Sequence, residues 1–528
     1  MDISKLKLLI NTVRYLKPLQ VYYRFYYFVK NRIIGKEIIQ KSVPIFGPIK
    51  WESKLNHPVI YLNRSKSFTF LNITHQFSGQ IDWNYGDYGK LWTYNLNYFD
   101  FLNQDGISKE IGIDLIIDYI KNDKILKDGK EPYPISLRGI NWVKFLSENE
   151  INNTVINRAL YYHYKILFKN LEYHLLGNHL LENSFSLLFG AYYFQDERLY
   201  AKSKKLLISE LDEQILNDGA HYELSPMYHQ ILFFRLLDCI NLINLNPLWR
   251  KDNLIYFLKE KALLMNSWLK NITYENGEIP MLNDATYNIA PRSKYLFSYA
   301  EHLGILNKII PLNDSGYRKI KSLNYELLID IGKIGPSYQP GHAHSDTFSF
   351  ELVNNGKPVI VDTGTSTYEK NFRRQEERET QSHNTVKIGD KDQSQVWGGF
   401  RVAKRAKIID LIEKPNLIEA SHDGYFSYGY KHTRSFLWGS KDLIITDKIN
   451  RFTSNNAKAF FHFHSSIKKP LINENIVRIQ PSGLSIEFEK ASNITVEEYE
   501  LSGGFNKTNL AYKIVVIFDK ELRTKISL

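Results

Sequence analysis

Apolar residues recur three and four positions apart through the middle of the chain, in Ile111–Ile120, Val155–Leu171, Leu180–Phe194, Ile231–Leu242 and Leu254–Leu269. That spacing gathers them on one face of an α-helix and predicts a run of amphipathic helices. Short polar or Gly/Pro-containing connectors separate the segments, so neighbours should lie antiparallel. A long series of such hairpins predicts a helical toroid, and no repeat of fixed period points to a regular solenoid. Beyond about residue 320 the period falls to two. Tyr325–Ile331, Thr347–Val353, Pro358–Asp362, Leu417–Ser421, Leu443–Ile449, Ala459–His464 and Lys513–Phe518 read as strands. Asn354-Asn355-Gly356-Lys357 supplies a hairpin turn between two of them. Many short strands in succession imply an antiparallel sandwich. The predicted fold class is α+β multidomain, with an N-terminal arm over 1–60, an (α/α) toroid over 61–315 and an antiparallel β-sandwich over 320–528. A cleft between the last two is the expected site.

The arm is partly helical and ends in the stretch Val43–Pro48. Arg14, Lys17 and Arg24 interrupt its apolar residues, Pro18 breaks it, and no small-residue cleavage site follows. It reads as neither a signal peptide nor a transmembrane span, which predicts a cytoplasmic chain, with the periplasm as the alternative. A basic amphipathic segment of this kind also suits peripheral contact with a membrane surface. Hydrophobic residues make up 43% of the 528 and aromatics 14%, enough for a sizeable core. The 35 tyrosines suit stacking on sugar rings as well as they suit a Tyr-rich genome. Lys and Arg outnumber Asp and Glu, 68 − 57 = +11, which favours an anionic partner. The cations are scattered and form no zinc-finger, RRM or basic-zipper pattern, so nucleic acid is excluded and an acidic polysaccharide fits better. Cys239 is alone, so no disulfide forms within the chain.

Four segments carry candidate chemistry. Gly341-His342-Ala343-His344-Ser345-Asp346 places three polar side chains on one side of an extended segment, at the rim of the strand that follows. Such imidazoles can bind a divalent metal, move protons near neutral pH, or simply end a strand. Gly177-Asn178-His179-Leu180 reads as a turn opening a helix, with Asn178 as its N-cap. In Ser225-Pro226-Met227-Tyr228, Ser225 caps a helix with Pro226 at its first position. Tyr228 in that first turn is either a packed tyrosine or a phenol whose pKa the helix end lowers. His344, Asp362 and His383 would make a three-ligand zinc site with one open position. An ideal two-residue hairpin, however, pairs Asp362 with Ser349, so the His342–Ser345 segment would have to curl back over the sheet.

Asn-His-Leu-Leu-Glu-Asn from Asn178, Tyr-Glu-Leu-Ser-Pro-Met-Tyr-His from Tyr222, the His342–Phe350 segment, Asp-Thr-Gly-Thr from Asp362 and His-Asn-Thr-Val from His383 occur in that order. Together, over residues 90–465, the chain resembles the heparinase II/III-like polysaccharide lyases, which are related to some alginate lyases. The resemblance implies an (α/α) toroid followed by a β-sandwich, and β-elimination on a uronate-containing acidic glycan. It implies that Asn178, with His179 beside it, neutralises the uronate carboxylate and that Tyr228 and His342 handle the protons. It implies a structural zinc, present in some members, on His344, Asp362 and His383, and no organic cofactor. Trp92, Asn95, Arg138, Asn141 and Trp142 resemble positions lining the sugar groove. A place in surface or capsular polysaccharide metabolism would suit a chain without a leader. Two other readings use the same residues: a metal-dependent glycan hydrolase, and a polysaccharide-binding or assembly protein without catalysis.

Overall fold

The computed structural model describes residues 3–33, 47–55, 57–249, 252–306, 308–454 and 456–528. The predicted break at Val43–Pro48 lies outside them as far as Phe46. Twelve helices are present among the described residues. They are α1 (Ile3–Val13), α2 (Pro18–Ile33), α3 (Lys90–Tyr98), α4 (Lys109–Lys121), α5 (Pro132–Glu148), α6 (Thr154–Lys169), α7 (Gly177–Phe194), α8 (Glu197–Gln214), α9 (Pro226–Leu245), α10 (Leu254–Ile272), α11 (Ser293–His302) and α12 (Phe372–Arg378). Each of the five apolar-periodic segments falls on a helix. Side-chain caps fix several starts: Asn153 accepts from the first amides of α6, Asp196 from those of α8 and Ser225 from Tyr228 N in α9. In α7 every residue but His179 is buried, so this helix lies at the centre of the helical core. No helix among the described residues is long and apolar enough to cross a membrane.

After residue 316 the chain forms antiparallel sheets. One has eight strands, ordered 408–414, 417–422, 432–438, 442–449, 521–527, 484–489, 476–479 and 471–473. A four-stranded sheet runs 493–504, 507–518, 457–462 and 386–388, and its inward residues share one apolar core with the eight-stranded sheet. In the remaining four-stranded sheet, 317–321, 325–330, 350–354 and 357–360, the two central strands are buried on both sides. Side chains alternate across a strand, so Leu327 and Ile329 enter the sheet core while Leu328 enters the helical core. This sheet is the wedge between the two halves, and loops leaving it carry half of the candidate site.

The hairpin forms where expected, with Asn355 (φ 48°) and Gly356 (φ 71°) in the left-handed region that a tight two-residue turn needs. A bulge between Leu352 and Val353 then moves the register by one, so that Leu352 faces Ile360. The strand expected from Thr347 begins only at Phe350. Phe348 sits at φ 70° and Ser349 N bonds Asp346 O (2.7 Å), so the His342–Ser349 segment does curl away from the sheet.

Candidate active site

The helical half contributes the N-terminal ends of α7 and α9. Helix α7 starts two residues earlier than a capping Asn178 requires: its N-cap is Leu176, and Asn178 stands in the first turn. There Asn178 donates from N (3.2 Å) and Nδ2 (2.8 Å) to the two oxygens of the buried Glu223 carboxylate. Ser225 accepts from Tyr228 N (3.3 Å) and donates to Asp284 O (2.8 Å), so one cap residue ties the start of α9 to the loop after α10.

From the sheet side His342 reaches into the same space. Its ring lies 4.0 Å, centroid to centroid, from that of Tyr228, and its Nε2 is 3.2 Å from Asn178 Nδ2 and 3.6 Å from Glu223 Oε2. Its Nδ1 is 2.8 Å from Asp284 Oδ2. Asp284 is the hub of the site. It is fully buried and also takes His344 Nε2 (2.9 Å), Thr365 Oγ1 (3.2 Å) and both terminal nitrogens of Arg374. Burial alone would raise its pKa, but Arg374 and the two imidazoles hold the carboxyl well below the usual range. An ionised acceptor at Nδ1 fixes the proton there and leaves the Nε2 lone pair facing Asn178 and the cleft.

Tyr228 completes the cluster, its hydroxyl 3.1 Å from that of Tyr368. Of the two alternatives for this residue, the lowered pKa is not seen: burial dominates and raises the phenol well above the ordinary tyrosine value. A helix end supplies only a partial charge, too little against desolvation of a phenolate. Glu223 goes the other way. Burial would raise it, yet His342, His221 and the two bonds from Asn178 lower it.

The structure therefore brings Asn178, Tyr228 and His342 together. His179 points aside, with Nδ1 3.0 Å from Glu172 and its ring 4.6 Å from Tyr133. Four of the five groove candidates require correction. Trp92, Arg138, Asn141 and Trp142 are buried inside the helical core, where Trp92 donates to Ile73 O (3.2 Å) and Asn141 to Tyr98 O (2.8 Å). They brace α3 and α5 instead of facing a ligand. Asn95, half-buried, returns its amide to Leu91 O (2.8 Å). The sequence reading passed over Glu223, Asp284 and Tyr368. Glu223 stood inside a quoted motif, whereas Asp284 lies in a loop with no periodicity to mark it.

Below His342 lie the proposed metal ligands, all buried. His383 Nδ1 is 2.8 Å from Asp362 Oδ2, and the rings of His344 and His383 are 5.2 Å apart. His344 Nδ1, His383 Nε2 and Asp346 Oδ2 have no hydrogen-bond partner among the described residues. Orphaned imidazole nitrogens in a buried acidic pocket fit the donor chemistry of a divalent metal. As placed, no three His, Cys, Asp or Glu side chains among the described residues converge on one point.

Comparison with known proteins gives a consistent family. The family model described as heparinase II/III N-terminus matches residues 140–303, and that described as heparinase II/III-like, C-terminal, matches 305–528. A heparin-sulfate lyase of Bacteroides stercoris is 23% identical over 252 residues, a match covering 42% of this chain and 36% of that relative, little more than a third of its length. A crystal structure of heparinase III superposes with a TM-score of 0.62 at 16% identity, covering 85% of this chain and 79% of the other. The heparan sulfate lyase HepC of Pedobacter heparinus gives 0.54 at 16%, covering 96% and 87%. At these identities the structural likeness is one of fold.

Proposed function

The chain belongs to the heparinase II/III-like family, and on that premise we propose that it is a polysaccharide lyase cleaving a uronate-containing acidic glycan by β-elimination. In this reading residues 61–315 form an (α/α) toroid, residues 320–528 a β-sandwich and residues 1–60 an appended arm. The observation that carries it is the meeting of Tyr228, His342 and Asn178 across the two halves, with the rings 4.0 Å apart and the amide 3.2 Å from Nε2.

The proton on C5 of a uronate is acidic only when the adjacent carboxylate's charge is masked. The Asn178 N–H that bonds His342 Nε2 in the free site turns to that carboxylate, which also frees the Nε2 lone pair. Nε2 takes the C5 proton, the C–H electrons form the C4=C5 double bond, and the C4–O4 bond breaks. Tyr228, kept protonated by its raised pKa, donates its hydroxyl proton to the departing oxygen. A substrate of opposite C5 configuration would present its proton to Tyr228 instead. A metal held by His344, Asp362 and His383 would supply positive charge that fixes the loop behind His342.

The test is digestion of a panel of acidic polysaccharides, rich in glucuronate or in iduronate, while following the ultraviolet absorbance of an unsaturated uronate. Its appearance with one member of the panel, and its absence with Tyr228→Phe, is the expected result. Hydrolysis without that absorbance, abolished by a chelator, would replace the proposal with metal-dependent hydrolysis.

A further inference from the structure

Helix α2 docks on the body of the protein by its polar edge. Gln20 donates from Nε2 to Leu175 O (3.1 Å) and to Gln339 Oε1 (2.8 Å), and Tyr27 donates its hydroxyl to Leu171 O (2.5 Å). Tyr23 stacks on Tyr173 at 4.5 Å, and Lys30 Nζ reaches Lys169 O at 2.7 Å. Positions 20, 23, 27 and 30 follow the three-and-four spacing of one helical face. The rest of the helix surface carries Leu19, Tyr22, Phe25, Tyr26 and Phe28 into solvent, Tyr22 at 60% and Phe25 at 69% exposure. Helix α1 likewise exposes Leu6, Ile10 and Val13, at the same spacing. A surface helix ordinarily turns its apolar stripe inward, so the orientation is inverted. Exposed apolar side chains gathered along a helix face in this way mark an interaction site.

The charge of the same segment narrows the occupant. Residues 3–33 contain seven Lys or Arg and no Asp or Glu. Lys17 is committed to Glu213 and Lys30 to the backbone. Lys5, Lys7, Arg14, Arg24 and Arg32 are exposed and form no ion pair with a described residue, and the Arg32 guanidinium lies 4.2 Å over the Phe28 ring. A second copy of this chain would bring like charges together. A soluble acidic glycan would match the cations and leave the aromatic strip in water. A bilayer with anionic headgroups satisfies both, its phosphates meeting the cations and its acyl boundary receiving the rings. Neither helix is long and apolar enough to cross it. We propose that α1 and α2 form a peripheral membrane-binding face, lying in the plane of an anionic lipid surface with Ile10, Tyr22, Phe25 and Phe28 inserted.

The experiment is sedimentation of the full chain with vesicles of phosphatidylcholine alone or of phosphatidylcholine mixed with phosphatidylglycerol. Binding to the mixed vesicles alone, weakening as salt is raised, is expected. Tyr22→Glu with Phe25→Glu should cut that binding at least about ten-fold, and Lys5→Glu with Lys7→Glu about thirty-fold. Leu323→Glu, on a sheet turn and 98% exposed, should bind as the parent does. Every variant should melt with the parent, since none of these side chains packs inward. Absence of binding to either vesicle, equal binding to both, or full binding by both double variants would overturn the proposal. So would a concentration-dependent dimer that Phe25→Glu dissolves.

Discussion

The rim of the candidate site and the layer directly beneath it use the same residue types to opposite ends. At the rim, both nitrogens of His342 and both oxygens of Glu223 are engaged. Beneath it, His344 and His383 each keep a buried nitrogen with no hydrogen-bond partner among the described residues, and Glu182, one turn along α7 from Asn178, keeps two such oxygens. A saturated network holds its members in one geometry, as a site for proton transfer requires. A buried polar atom without a partner costs stability and marks either a missing ligand or a group kept neutral. The rim is built to act; the layer below is built to receive a ligand or to stay uncharged.

Asp284 joins the two layers, and replacing it tests the comparison most severely. Asp284→Asn removes the charge that Arg374 and two imidazoles share. Leaving the buried guanidinium uncompensated should cost about 3–5 kcal/mol in a denaturant melt. The proposed lyase activity should fall by roughly 10³-fold even where the protein stays folded, because an amide in place of the ionised carboxylate can also donate to Nδ1 and no longer fixes the imidazole tautomer. A variant that melts with the parent and keeps its activity would mean that Asp284 organises neither layer.

Substitutions confined to the rim should separate function from stability. Tyr228→Phe and His342→Ala should each lower kcat by about 10²–10⁴-fold, while shifting the melt far less than Asp284→Asn does. The surviving alkaline limb is informative as well. Because burial raises the Tyr228 phenol, the parent should hold its activity past about pH 10, where an ordinary tyrosine would already be losing its proton. A limb falling well below that pH would show that a different group donates the proton.

How much of this could be read from residues alone depends on where each signal lives. Five of the twelve described helices and seven of the eighteen described strands after residue 316 were visible because burial imposes a period on the sequence, and Asn178, Tyr228 and His342 sit in motifs short enough to see whole. Asp284 and Tyr368 were invisible. They come from loops whose only regularity is spatial, and no spacing links 284 to 342 or 368 to 228. Trp92, Arg138 and Trp142 misled because large and polar side chains suit a sugar groove and a helix core equally well. Only their burial distinguishes the two. The bulge at Leu352 and the positive φ of Phe348 likewise leave no compositional mark, yet they decide where the histidines point.

In the lower layer, metal binding should show as stability. Adding Zn²⁺ to chelator-treated protein should raise the melting temperature by roughly 1 °C for each kcal/mol of binding free energy. His383→Ala should abolish that rise. A parent protein whose melt ignores both chelator and zinc would remove the metal from the account and leave the orphaned nitrogens as plain cost.

Glu182 offers the smallest and cleanest contrast, because its partner in the comparison is another buried glutamate. Glu223 is lowered by its imidazoles and the Asn178 bonds, whereas burial pushes Glu182 up to about 7, Arg235 at 3.5 Å being too poorly aligned to compensate. A carboxyl raised on folding binds its proton more tightly in the folded state than in the unfolded one. Its contribution to stability is therefore full below the unfolded value near 4.5 and is lost as pH rises through about 7. Between pH 6 and pH 8 the parent should lose about 1–2 kcal/mol from this group alone. Glu182→Gln keeps the shape and removes the titration, so the variant's stability should stay flatter over that window and exceed the parent's relative trend at pH 8. If the two proteins instead weaken in parallel from pH 6 to pH 8, Glu182 is already ionised and partnered, and the division between a saturated rim and an unsaturated interior fails at this residue.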